Sequence, residues 1–151
     1  MNPRRLAAWL SGLWGGLLLG VGLVGAPAGF ATTTVEIAGR AAGRMFAVEA
    51  YLSLGLAVAL CLLLRKRERF AAGDGAGSAM SADLMITLGV LFCTVAGYFA
   101  LQPMMAAARA GQGSVSFAAL HGASVGFYAL KALLVLVLAW RLTAISPRPS
   151  S

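Results

Sequence analysis

Charged residues, histidine and cysteine are all scarce in this sequence. Of its 151 residues, 11% are charged, one is histidine and two are cysteine. Cys61 and Cys93 fall inside apolar stretches without metal-ligand spacing, so they argue against a disulfide framework and are expected to be small core residues. No Ser/His/Asp set, phosphate-binding glycine loop or zinc spacing occurs. We therefore predict a non-enzymatic protein without a metal or cofactor.

Apolar residues, by contrast, make up 60% of the chain, which is too many for a soluble domain of this size. The net charge of +7 comes from basic residues that cluster beside apolar segments. Basic residues in that position contact anionic headgroups and set orientation in a membrane. The predicted partner is the lipid bilayer, and nucleic acid is not expected.

Four apolar segments predict an all-α fold, an integral membrane four-helix up-down bundle that forms a single domain over 1–151. The first segment starts with basic residues and contains Ala26-Pro27-Ala28, as a cleaved signal peptide does. Its apolar run of about 20 residues exceeds the usual 7 to 15 of such peptides, so we interpret it as a retained helix. The expected spans are residues 6–30, 44–64, 84–101 and 117–141, with a loop at 65–83.

Connecting segments refine these boundaries. Glu36, Arg40 and Arg44 lie four residues apart and predict an amphipathic helical lead-in to the second span. Pro103 is expected to end the third span or to start a short surface helix, and Ser116 to cap the fourth.

The basic residues also predict the orientation. Three of them, Arg40, Arg44 and Arg109, lie on one side of the predicted bundle. The excess belongs in the cytoplasm, so both termini are predicted to be cytoplasmic and the protein to be a multi-pass protein of the cell inner membrane. The side predicted to be cytoplasmic carries eight basic residues: Arg4, Arg5, Arg65, Lys66, Arg67, Arg69, Arg141 and Arg148.

Polar residues inside the spans predict an intramembrane site. On the fourth helix, His121, Ser124, Tyr128 and Lys131 lie within about 80° of one another. Measured from an outer boundary at Arg44, Gln102 and Phe117, Glu49 lies about 8 Å deep, Tyr98 and His121 about 6 Å, and Lys131 about 21 Å. An outer group around Glu49 and His121 is therefore predicted, and a direct Glu49–Lys131 pair is the second choice. The predicted site comprises Glu49, Tyr98, Gln102, His121, Ser124, Tyr128 and Lys131.

Two interpretations of these residues remain open. They can form a satisfied polar network that fixes the helix register, or a site for a proton, an ion or a small solute. The alternative function is a haem- or copper-handling redox protein built around His121, with Met104 and Met105 as soft ligands or Lys131 as a second haem ligand. A single histidine is a poor ligand supply for either group.

Small residues recur every four positions in the first segment, at Ala8, Gly12, Gly16 and Gly20. Such a ridge lets two helix backbones approach closely. We favour packing of Gly12, Gly16 and Gly20 inside the bundle over the alternative, a homo-oligomer interface.

Several motifs together resemble one family. They are LSGLWGG from Leu10, AGRAAGRMF from Ala38, GYFALQP from Gly97, and SFAALHGAS from Ser116 with FYALK downstream. The chain resembles the transmembrane protein 205-like family, whose bacterial members are described as a domain of unknown function. This resemblance implies a four-helix membrane protein and no established activity. A looser likeness to copper-resistance membrane domains and to a haem-binding protoporphyrinogen oxidase concerns architecture alone.

Overall fold

Four long helices make up the protein. The computed structural model describes residues 3–73 and 81–144, and no strand occurs within these ranges. Each helix contains a stretch long and apolar enough to cross a membrane, which confirms the predicted all-α four-helix class. The helices are α1 (Pro3–Thr32), α2 (Val35–Gly73), α3 (Ala82–Arg109) and α4 (Phe117–Thr143).

The second helix extends beyond its predicted span at both ends. It begins at Val35, where the predicted lead-in is continuous with the span, and Arg40 pairs with Glu36 at 2.6 Å. It continues past Leu64 through the basic run to Gly73, because Arg, Lys and Glu are good helix formers wherever their charges reach water. The predicted loop at 65–83 is therefore helical over 65–73, and residues 74–80 lie outside the described part of the chain.

Polar side chains cap the starts of three helices. The Ser116 hydroxyl accepts a hydrogen bond from the Ala119 N–H at 3.3 Å, which confirms the predicted cap of α4. Ser81 does the same at α3, and Thr34 at α2. Each cap satisfies a backbone N–H that the first helical turn leaves without an intrahelical partner.

The helices form a ring in which each one packs on two neighbours. Helices α1 and α3 both pack on α2 and α4, while α2 and α4 face each other across the bundle without direct backbone packing. We call the end with the 33–34 and 110–116 connections the hairpin end, and the opposite end the terminal end. The apolar core lies toward the terminal end and includes Trp14, Leu18, Leu60, Val90, Val135 and Leu138.

Two of the four helices contain a π-helical segment between the core and the hairpin end. Gly20–Gly25 lies in α1 and Val95–Ala100 lies in α3. Each precedes a proline, Pro27 or Pro103, which lacks an N–H and whose ring conflicts with the carbonyl four residues earlier. That carbonyl, of Leu23 or Phe99, lies inside the π segment, whose wider turn allows the helix to continue. Pro103 does not end the helix, because α3 runs through it to Arg109.

Beyond the π segments the bundle divides into two hairpins. Ala26–Thr32 packs on α2, and Leu101–Arg109 packs on α4, but neither segment packs on the opposite hairpin. The α1–α2 hairpin and the α3–α4 hairpin are thus joined by the core at the terminal end and separated at the hairpin end.

The glycine ridge of α1 does not pack within the bundle. Gly12, Gly16 and Gly20 are exposed, and a Cβ added at any of them would meet no atom within 4 Å. The predicted internal packing of these three residues was wrong. Gly15, one position from the ridge, is the buried glycine, and a Cβ there would lie 3.1 Å from Leu136 Cδ2.

Replacing Gly97 with alanine tests the close contact of α3 with α4. A Cβ at Gly97 would lie 2.5 Å from Phe127 Cβ, an atom too near its own backbone to move freely. We expect Gly97→Ala to lower the unfolding free energy by about 1–3 kcal/mol through overpacking. Gly55→Ala is the matched control, because nothing lies within 4 Å of its Cβ and alanine favours the helix. Equal thermal midpoints of both purified variants would contradict the contact.

Candidate functional site

A cavity of about 380 Å³ lies between the two hairpins. All four helices line it, and the widened segments of α1 and α3 contribute Gly22 and Gly97 to its wall. The cavity brings together all seven residues of the predicted intramembrane site: Glu49, Tyr98, Gln102, His121, Ser124, Tyr128 and Lys131. A shallower groove of about 430 Å³ on the surface of α1 and α2 also reaches Glu49.

An ion pair between α2 and α4 forms the floor of the cavity. Lys131 Nζ lies 2.8 Å from both carboxylate oxygens of Glu49, and the two side chains are 3% and 2% exposed. Because α2 and α4 do not pack directly, this pair joins them across the diagonal of the bundle. A buried charge at membrane depth is strongly unfavourable without a partner of opposite sign, so Glu49 and Lys131 each require the other.

The preference for an outer Glu49–His121 group over the Glu49–Lys131 pair was wrong. The predicted depth of Glu49 takes Arg44 as the outer boundary, whereas α2 begins at Val35. Glu49 and Lys131 each lie 14 residues beyond the start of their helix, or about 21 Å, and therefore sit at the same level. His121 lies only about 6 Å into α4, so it lines the same cavity well above the pair.

Two further residues complete the floor, and sequence analysis had not assigned them to it. Ser53 donates a short hydrogen bond to Glu49 Oε1, and Trp14 Nε1 donates to Ser53 Oγ at 2.8 Å. Both side chains are fully buried. Ser53 follows Glu49 by one helical turn, so its place beside Glu49 was recognisable from that spacing. The indole N–H of a buried Trp14 needs an acceptor, but which residue provides the acceptor depends on the fold.

Hydroxyl groups of α4 bond to α1 and α3 beside the π segments. Ser124 donates to the Gly97 carbonyl at 2.9 Å, and Tyr128 donates to the Leu18 carbonyl at 2.8 Å. The Lys131 ammonium lies 4.9 Å from the centre of the Tyr128 ring, within cation–π range. The middle of the cavity is therefore held by bonds that α4 makes to its two neighbours.

At the mouth of the cavity, at the hairpin end, two lining residues contact Phe117, which does not itself line the cavity. The Arg109 guanidinium lies 4.4 Å from the centre of its ring, and the His121 ring stacks on it at 5.7 Å and 11° between planes. Gln102 lies on the next helix and lines the same opening. Arg109 of α3 and His121 of α4 thus both contact the same aromatic ring at the mouth.

The floor and the mouth differ in how their polar groups are satisfied. Glu49, Lys131, Ser53, Ser124 and Tyr128 all have hydrogen-bond partners. Within residues 3–73 and 81–144, the side chains of Tyr98, Gln102, His121 and Arg109 make no hydrogen bond or ion pair. Donors and acceptors near the mouth therefore remain available to a ligand.

The metal-ligating residues are dispersed. His121 and Met105 line the cavity, while Met104 is exposed and does not. Among the described residues, no group of three His, Cys, Asp or Glu side chains has the geometry to hold a metal ion. Lys131, the second haem ligand under the alternative function, is engaged by Glu49 at the floor. The donor set therefore gives no specific support to a haem or copper centre.

These features define a multi-pass α-helical membrane protein with a polar cavity between two helical hairpins. The chain belongs to the family described as a domain of unknown function (DUF4149), whose model matches residues 9–114. That region includes Glu49, Tyr98 and Gln102 but ends before α4, which supplies the other four of the seven predicted site residues. No curated protein and no solved structure matches the chain.

Substitutions at the floor test the ion pair. Lys131→Met leaves the Glu49 carboxylate buried without its partner, and we expect it to cost about 3–5 kcal/mol of unfolding free energy and to lower the yield of folded protein. Adding Glu49→Leu should recover most of this loss, because an apolar pair replaces an ion pair with little net cost. The measurement is the thermal midpoint of the single and double variants in the same detergent. A double variant as unstable as the sum of the two single variants would contradict the pairing.

Proposed function

We propose that this protein is a non-enzymatic binding protein of the inner membrane, which holds a small solute in the cavity between its two hairpins. The observation that carries the proposal is the division of the cavity into a closed floor and an open mouth. A polar network that only fixed the helix register would satisfy its members with one another, as the floor does. The groups around the mouth have no hydrogen-bond partner within the described residues, and because Arg109 and His121 are exposed they are accessible to a solute.

The dimensions and lining of the cavity support this proposal. A volume of about 380 Å³ lies in the lower part of the range of about 300–1,000 Å³ of small-molecule sites. Its walls are mainly apolar or small, with a few polar groups at defined levels, which is typical of ligand pockets. Gly39 and Gly43 of α2 line it and leave space beside their backbones.

The remaining expectations belong to the same proposal. We place the hairpin end outside the cytoplasm, following the excess of basic residues at the other end. Membership of the transmembrane protein 205-like family remains a prediction. So does homo-oligomer formation through Gly12, Gly16 and Gly20, whose exposed ridge gives a second copy room for close approach.

Alkylation of Cys93 tests whether small molecules enter the cavity. Cys93 is 3% exposed but lines the cavity at the level of its floor, whereas Cys61 lies outside it. We expect the neutral reagent N-ethylmaleimide to modify Cys93 in the folded protein. Gly43→Leu should slow this reaction several-fold, because the new side chain extends into open cavity space.

Gly55→Leu is the matched control, since it makes the same change on the same helix, outside the cavity. The rate at each cysteine is measured by mass spectrometry of the digested protein, and Cys61 serves as the internal reference. If Cys93 does not react, or if both glycine variants slow it equally, the cavity does not admit solutes and the proposal fails.

A fusion tests the orientation. We expect a reporter that is active only in the cytoplasm to function when fused after Ser151, which lies outside the described residues, and a periplasmic reporter at that position to be inactive. The reverse pattern in intact cells would overturn the proposed orientation.

A further inference from the structure

Charge, shape and access together define the chemical class of the solute. We infer that the cavity binds an anionic amphiphile, with its charged head at Arg109 and its apolar chain along the walls toward the Glu49–Lys131 floor. The inference rests on the proposed function, because it names the ligand class of the same cavity.

The charge of the lining favours an anion. Among the described residues that line the cavity, the charged ones are Glu49, Lys131 and Arg109. The first two cancel each other at the floor, at 2.8 Å. Arg109 makes no ion pair within the described ranges, so it leaves a positive charge at the mouth with no acid to balance it. A ligand with a negative head neutralises this charge, and one with a positive head is repelled by it.

Arg109 is positioned at the mouth to bind a negatively charged head group. Its guanidinium lies over the Phe117 ring, 4.4 Å from the ring centre, and its N–H groups make no hydrogen bond or ion pair within the described residues. Those N–H groups match the oxygens of a carboxylate or phosphate in a bidentate geometry. His121, which also stacks on Phe117, and Gln102 provide further hydrogen-bonding groups in the same cavity.

The walls between the mouth and the floor favour an apolar chain. This part of the lining includes Phe46, Val125 and Met105, together with small residues of α1 and α2. Hydrogen bonds to neighbouring helices already occupy the hydroxyls of Ser124 and Tyr128 in the same region. A fully polar solute would lose its hydration there without finding enough new partners.

Two apolar residues that line the cavity are about half exposed. Phe30 of α1 and Val125 of α4 both line it, and they are 48% and 54% exposed. Ala26–Thr32 does not pack on α4, so these two residues lie on hairpins that have separated. An amphiphile already in the bilayer can therefore enter sideways with its head near the membrane boundary.

Protection of Cys93 by defined amphiphiles tests the inference. The full chain in phosphatidylcholine nanodiscs is alkylated with N-ethylmaleimide at neutral pH in the presence of dodecanoate, dodecanol, dodecyltrimethylammonium or acetate. We expect dodecanoate to slow alkylation of Cys93, because it lies between the mouth and the thiol, while Cys61 reacts at its usual rate. Dodecanol should protect only at higher concentration, and the cationic amphiphile and acetate should not protect.

Arg109→Gln provides the direct test of the head group. Loss of one charge-assisted contact should raise the dodecanoate concentration needed for half-protection by about tenfold. Arg40→Gln is the matched control, because Arg40 is an exposed arginine near the same end that does not line the cavity. Its half-protecting concentration should equal that of the unaltered protein.

Each other outcome overturns the inference in a distinct way. Equal protection by dodecanoate, dodecanol and the cationic amphiphile would mean that the cavity does not select charge. Protection by acetate equal to that by dodecanoate would identify a site for free anions. If no amphiphile protects Cys93 while Gly43→Leu still slows its alkylation, the ligand class is wrong and the proposed function stands; if Cys93 never reacts, the proposed function fails first.

Discussion

The ion pair between Glu49 and Lys131 is the interaction on which the rest of this structure depends. It joins the two helices that face each other across the bundle, at a level where either charge alone would be strongly unfavourable. Ser53 and Trp14 extend the network to α1, so that one carboxylate is linked to three of the four helices. Below it, toward the terminal end, the bundle is a close-packed apolar core; above it, the hairpins separate.

The separation depends on the backbone as much as on side chains. Each hairpin has one helix with a π segment, and each such segment lies a few residues before a proline. Beyond these points the helices continue toward the hairpin end. There, Ala26–Thr32 of one hairpin packs on neither Leu101–Arg109 nor α4 of the other. The cavity therefore follows from two local departures from α-helical geometry, and its polar groups occupy the space that these create.

Much of the fold and of the site's composition was predictable from sequence. The four helices follow from the lengths of the apolar segments, and inward-facing residues such as Ser124, Tyr128 and Lys131 follow from helical spacing. The partner of Lys131 was not predictable in the same way, because it depended on where α2 begins. An error of nine residues in that boundary moves Glu49 by about 13 Å along the helix axis.

Whether the glycine ridge of α1 faces the bundle or the outer surface was also not predictable from the sequence. Small residues at intervals of four have the same pattern whether they face a neighbour in the same chain or the outer surface. The buried glycine of α1 is Gly15, which lies one position outside this series, so the four-residue spacing indicated the wrong face of the helix. The π segments likewise depend on packing, since a proline in a membrane helix is accommodated in several ways.

The matched depth of Glu49 and Lys131 has an electrical consequence. A single charge that moves across a membrane potential changes in energy by about 2.3 kcal/mol per 100 mV. Two opposite charges at one level form a dipole that lies across this field, and the field does equal and opposite work on them. A field along the membrane normal therefore exerts little net force on the central ion pair.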